Sequence, residues 1–315
     1  MPDFDGSKHM PFALDLTPDV RAAREQGAAI VALESTIIAH GMPYPDNVRT
    51  AREVEQIVRD GGAVPATIAV LKGRLKIGLS PDDLEYLGHQ GRSIAKVSVR
   101  DLPYVVARKL DGATTVASTM RLAAMAGIHV FATGGIGGVH RGAEKSFDVS
   151  ADMTEFAQSN VAVVTAGAKA ILDLALTLET LETLGVPVVG YGTDAFPAFY
   201  YRVSGYGVPM RCDTPNDLAE LMRAKWAMGL RGGVVVANPI PLESEIAAAE
   251  IAPVIAAAVK AADAKGITGK ELTPFLLAEI AGVTEGRSLT ANIALAKNNA
   301  RLAAAIAVAF SNYAN

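Results

Sequence analysis

Val161-Ala162-Val163-Val164-Thr165-Ala166-Gly167-Ala168-Lys169 decides how this chain is read. Its first half is a short, apolar, β-branched run, too brief for a helix and without the alternation of a half-exposed strand, so it reads as a strand covered on both faces. Small residues then lead to one lysine at the head of an amphipathic pattern, and a helix is expected from Ala168 to Leu184. The same strand-then-helix unit recurs outward in both directions. Strands are expected at Ala28 to Leu33, Ala66 to Leu71, Ala95 to Val99, Ile128 to Ala132, Pro187 to Tyr191 and Gly233 to Ala237, besides Val161 to Thr165 itself. A helix is expected over Asp46 to Asp60. The C-terminal third, Glu243 to Lys265 and Ser288 to Tyr313, is alanine-rich with high helix propensity and reads as long helices over the sheet. The fold class is therefore α/β, with a largely parallel or mixed sheet and crossover helices.

The 315 residues are 50% hydrophobic and 20% charged, a balance that can bury a large core. No linker-like shift in composition divides them, and residues 11–315 read as one domain. The first ten residues, ending Gly6-Ser7-Lys8-His9-Met10, look like a cloning remnant. With 29 basic and 33 acidic side chains the net charge is −4, and no polybasic block offers a nucleic-acid footprint. A nucleic-acid polymer is thus disfavoured as partner, whereas a small anion remains compatible, since glycine loops and helix N-termini can hold phosphate. The single cysteine, Cys212, allows neither an internal disulfide nor a cysteine zinc site, and fits a reducing cytoplasm. No apolar run approaches the roughly 18 residues of a bilayer span, so no membrane partner is expected.

Several stretches do not read as scaffold. Glu34 directly follows the apolar run Val31-Ala32-Leu33, where ligand sites gather in α/β sheets, and a partly desolvated carboxyl there suits a general acid. A strand-end carboxylate capping the following backbone would give the same pattern. Lys96 lies in an otherwise apolar strand, with Arg100 shortly after; two positive charges could hold a phosphate, or Lys96 could guard a sheet edge. Gly112-Ala113-Thr114-Thr115-Val116-Ala117-Ser118-Thr119 offers hydroxyls and backbone N–H groups ahead of a helical pattern, either as a phosphate cradle or as an ordinary helix cap.

Ala132-Thr133-Gly134-Gly135-Ile136-Gly137-Gly138-Val139-His140-Arg141-Gly142 packs five glycines into nine residues where a strand ends. That loss of backbone order is accepted where the chain bends sharply or approaches a ligand. The loop lacks a Walker ending, and His140 stands where a dinucleotide fingerprint needs its last glycine. Asp148-Val149-Ser150-Ala151-Asp152 follows. Its oxygen donors suit Mg²⁺ or Mn²⁺, and equally suit a helix N-cap. Lys169, at the expected helix start, faces the positive end of a dipole that would lower its proton affinity and make it a nucleophile; a snorkelling surface lysine is the alternative.

In this order, Val31 to Ile38, Gly112 to Thr119, Ala132 to Ala143, Phe147 to Asp152, Ala166 to Lys169 and Val236-Ala237-Asn238-Pro239-Ile240-Pro241 resemble the pseudouridine-5'-phosphate glycosidase family from about Phe12 to the C-terminus. The resemblance implies a three-layer α/β/α sandwich and a homotrimer with one Mn²⁺ per subunit, or another hard cation such as Mg²⁺. It implies cleavage of the C–C glycosidic bond of pseudouridine 5'-phosphate to uracil and ribose 5-phosphate, in the breakdown of modified nucleotides. By matching motif, Glu34 corresponds to the proton donor and Lys169 to the nucleophile, acting through a Schiff base. Lys96 and Val116, with Thr115 beside it, correspond to substrate contacts. Asp148 corresponds to the metal ligand, and Ser150, Ala151 and Asp152 to a further substrate-binding stretch. Thr133, His140 and Asn292 lie in similar segments and are added as pocket members. The chain departs from the family mainly at its N-terminus and over Gly192 to Met210. A Schiff-base aldolase acting on a sugar phosphate, and a non-catalytic sugar-phosphate sensor, are the competing readings of the same residues.

Overall fold

The computed structural model describes residues 13–267 and 269–312. The first ten residues, read above as a cloning remnant, and Tyr313, the end of the last expected helix, lie outside them. Among the described residues the strands form one mixed sheet of 11 strands and a separate two-stranded ribbon. Its centre is parallel: Val64–Leu71, Ile30–Leu33, Val130–Ala132, Ala162–Thr165, Val234–Ala237, Val188–Tyr191 and Met210–Cys212 lie side by side in that order. The antiparallel part begins where Val64–Leu71 turns back into Arg74–Ile77. That turn is Lys72-Gly73, both at positive φ (51° and 74°), the backbone a tight hairpin requires. Gly112–Thr114 also runs antiparallel to Val64–Leu71 and carries Ala95–Val97 on its outer side.

All seven expected strands are present, with ends moved by one or two residues. Side chains alternate between two faces along each strand, and both faces are covered. Val31, Leu33, Val130, Ala132, Val164 and Val236 pack beneath the helices Asp46–Asp60 and Arg287–Ser311. Ala32, Phe131, Val163 and Val235 point the other way, into a core shared with Met120 and Ala123 of Val116–Met125 and Ile251 and Ile255 of Ala248–Ala264. Each fully buried valine contributes roughly 1.5–3 kcal/mol, which is why such short strands hold. The result is three layers, α/β/α.

Two expectations are corrected. The helix read from Ala168 begins only at Leu174 and ends at Thr183, with Asp173 as its N-cap. Residues 166–173 are instead tied to the glycine loop. Lys169 N–H donates to Ile136 O at 3.0 Å, and Leu172–Asp173 pairs antiparallel with Val139–His140. The helix Arg287–Ser311 is also long and apolar enough to cross a membrane, with mean hydropathy 1.3. Of that apolar window 56% is buried in the protein, as a helix covering a sheet face must be.

Candidate active site

The central strands are parallel, so their C-terminal ends share one edge, and there Glu34, Thr133, Ala166 to Lys169 and Asn238 come together. Of these, Glu34 and Lys169 border a cavity of about 380 Å³. Among its walls are Glu34, Lys96, Thr115, Val116, His140, Asp148, Ser150, Ala151, Asp152, Lys169 and Asn292. Residues spread over most of the chain thus converge. Thr133 is the exception, buried behind Glu34 and outside the wall of this cavity. Its expected place as a pocket member becomes one of support, since its hydroxyl donates to Glu34 Oε1 while Thr36 donates to Oε2.

The glycine loop is built for close approach. Gly137 is not at positive φ, yet a Cβ on it would lie 2.7 Å from Asp152 Oδ2 and against the Ser150 hydroxyl. One on Gly135 would lie 2.6 Å from the Phe199 ring and 3.3 Å from Lys169 Cγ. Backbone bonds stitch this loop to both neighbours: Ser150 N to Gly138 O at 2.9 Å, His140 N to Asp148 O at 3.0 Å, and Ala166 N to Gly134 O at 3.0 Å. Glycine here lets the lysine segment and the aspartate segment reach one cavity.

Asp152 is spent on this architecture. Its buried carboxylate accepts from Ala117 N at 2.9 Å and Gly137 N at 2.7 Å, joining the N-terminus of Val116–Met125 to the loop. Ser150 caps the short helix Ala151–Phe156, accepting from Asp152 N at 3.2 Å. The cap reading therefore holds for Ser150, although both residues still face the cavity. Thr115 is the N-cap of Val116–Met125, which leaves that helix start directed at the cavity wall. Ala95–Val97 is an edge strand, as one reading of Lys96 required, but the Lys96 side chain turns inward.

Electrostatics follow from burial. Lys96 is pushed down to about 8, first by desolvation and then by the charge of Lys169, against the pull of Glu34 and Asp152. His140 is held below the ordinary imidazole value by burial, which outweighs the opposing pull of Asp148, with Lys169 and Lys96 lowering it further. For a metal the local donors are one carboxylate, Asp148, with the imidazole of His140 nearby. Among the described residues no three His, Cys, Asp or Glu side chains cluster as a metal cage. Such a sparse oxygen-rich wall fits a hard cation that keeps most of its water, such as Mg²⁺ or Mn²⁺.

Some wall residues were not singled out in the sequence. Thr36 stands two positions after Glu34. His40 also lines the cavity, as do Thr273, Pro274 and Leu277 around the helix Leu272–Val283. Phe199, at φ 65°, arrives from the Gly192 to Met210 segment and is anchored by its N–H to Ala166 O at 2.9 Å. An apolar helix and a loop phenylalanine carry no local mark of a site.

An α/β scaffold that gathers an acid and two lysines at its C-terminal strand edge has the build of an enzyme, and residues 19–309 match the family model described as indigoidine synthase A like protein. The chain belongs to this family, that of the pseudouridine-5'-phosphate glycosidases. It is 60% identical to a pseudouridine-5'-phosphate glycosidase of Hahella chejuensis over 94% of this chain and 98% of that one. It is 62% identical to one of a Nocardioides species over 93% and 95%. Among solved structures it resembles a prealnumycin C-glycosynthase in complex with ribulose 5-phosphate, with TM-score 0.88 and 37% identity over 96% of this chain and 98% of that one. An indigoidine synthase A-like protein of Thermotoga maritima gives TM-score 0.87 and 36% identity, with the same coverage.

Proposed function

We propose that this chain cleaves the C–C glycosidic bond of pseudouridine 5'-phosphate, with water, to uracil and ribose 5-phosphate. The observation that carries the reading is the convergence of Glu34, Lys169 and Lys96 on one cavity in a chain about 60% identical to glycosidases of that name. The bond to be broken joins ribose C1' to a uracil carbon, so protonating a departing heteroatom is not available. Glu34 delivers a proton to the ribose ring oxygen, and the C1'–O bond breaks as electrons flow from the uracil ring. Lys169 Nζ then adds at C1'. The proton that the new C1'–N bond sheds passes to the uracil carbon, the C1'–C bond breaks, and the nitrogen lone pair closes a Schiff base. Water hydrolyses that imine, releasing ribose 5-phosphate and restoring the lysine.

The other wall residues bind and orient. Lys96 and the backbone at Thr115 and Val116 hold the phosphate, supplying binding energy remote from the reacting carbon. Ser150, Ala151, His140 and Asn292 line the remainder, while Asp152 keeps the loop in place. Asp148 would hold the divalent cation; when bound, Mn²⁺ would supply charge stabilisation at the uracil carbonyls. A homotrimer in the cytoplasm belongs to the same reading. Cys212 supports the cytoplasm, and sedimentation of the purified chain tests the trimer.

The test is uracil release from pseudouridine 5'-phosphate with Mn²⁺ present, followed chromatographically. Release supports the reading. No release from folded protein would bring forward a Schiff-base aldolase or a sugar-phosphate sensor.

A further inference from the structure

The conspicuous segment Val236 to Pro241 lies at the same strand edge as the cavity, yet none of its residues lines the cavity wall. Its asparagine has a different connection. Asn238, directly after the strand Val234–Ala237, donates from Nδ2 to Asn299 Oδ1 at 2.9 Å. Asn299, fully buried on the helix Arg287–Ser311, donates from its own Nδ2 to Thr133 O at 2.7 Å. The Thr133 hydroxyl in turn donates to Glu34.

We infer that Asn238 and Asn299 are positioning residues for the acid Glu34, acting through Thr133. This rests on the functional reading above. Two buried primary amides could be replaced by leucines in a core of this kind, and a polar pair survives in such surroundings only when its groups are satisfied. Here the pair fixes chiefly one peptide carbonyl, that of Thr133 at 2.7 Å, with Gly134 O farther off at 3.5 Å. The N–H of Thr133 is fixed too, donating to Val164 O at 3.0 Å, and Asn238 N–H donates to Thr165 O at 2.8 Å. With carbonyl and N–H both held, the orientation of the Thr133 side chain follows, and with it the hydroxyl that holds Glu34. Lys169 itself makes none of these bonds, although Gly134 O also accepts from Ala166 N at 3.0 Å at the start of the lysine segment. The relay therefore acts first on the placement of the acid.

Asn299→Asp keeps shape and the acceptor for Asn238 but removes the amide that donates to Thr133. Its kcat for uracil release is expected to fall between about tenfold and about a hundredfold, the cost of a misplaced catalytic group. KM is expected within about twofold of wild type, because no substrate contact is lost. The end-point yield of ribose 5-phosphate reductively trapped on Lys169 should stay at the wild-type level. A folded Asn299→Asp with wild-type kcat overturns the relay, as does one in which kcat and trapping yield fall together. If that variant fails to fold, Asn238→Ser is measured with the same criteria and decides the matter. A wild type that releases no uracil overturns the functional reading itself, an outcome distinct from a variant as active as an active wild type.

Discussion

Lys96 stands in the field of Lys169: burial first, and then that second ammonium, push Lys96 down to about 8, while Glu34 and Asp152 pull the other way. An anion beside Lys96 would offset that cost, and in the proposed reaction the substrate phosphate is that anion. Because the folded value of Lys96 lies below its ordinary 10.5, the unfolded chain binds more protons between the two. From this group, stability rises with pH over that window and is lowest below about 8.

A binding profile follows from the same shift. Phosphate binding needs the cationic form of Lys96, so kcat/KM for pseudouridine 5'-phosphate is expected to decline as pH rises through about 8. Lys96→Met should raise KM and flatten that limb. A wild-type limb retained unchanged in Lys96→Met would assign it to another group.

Glu34 offers one carboxylate whose two oxygens are both held by threonine hydroxyls, Thr36 and Thr133. Glu34→Gln keeps the shape and removes the transferable proton. Uracil release is expected to drop by about 10²–10⁴-fold in kcat with KM little altered. Steady-state kinetics check this, and a variant with near wild-type kcat would exclude Glu34 as the acid.

Gly137 is where the loop, Ser150 and Asp152 meet. Gly137→Ala places a methyl 2.7 Å from Asp152 Oδ2, so the aspartate must release a backbone N–H or the loop must move. A stability loss of about 1–3 kcal/mol is expected, the usual cost of overpacking. Melting temperature and kcat/KM should fall together; an alanine variant as stable and active as wild type would show that the close approach is dispensable.

Much of this site was legible because of where its residues stand. Glu34, Thr133 and Lys169 each follow an apolar run, and a polar residue at the end of a buried parallel strand has only one edge to occupy. The glycine loop was legible as a place of close approach, though not what it approaches. Lys169 was read at a helix start, and the dipole argument built on that position has no support. The helix begins five residues later, because the intervening chain pairs with Val139–His140, a tertiary bond invisible to local pattern. His40, Phe199 and the helix Leu272–Val283 reach the cavity through long-range packing alone. Asn299 sits in an alanine-rich helix like any interrupting polar residue until its partner at position 238 is known.

The most direct test of the central claim is reductive trapping. Wild-type protein is incubated with ribose 5-phosphate and borohydride, and the modified peptide is mapped by mass spectrometry beside a Lys169→Ala control. The account predicts a reduced sugar-phosphate adduct on Lys169, none in Lys169→Ala, and loss of uracil release in that variant with its fold intact. A Lys169→Ala protein that still releases uracil, or an adduct confined to another lysine such as Lys96, would contradict it.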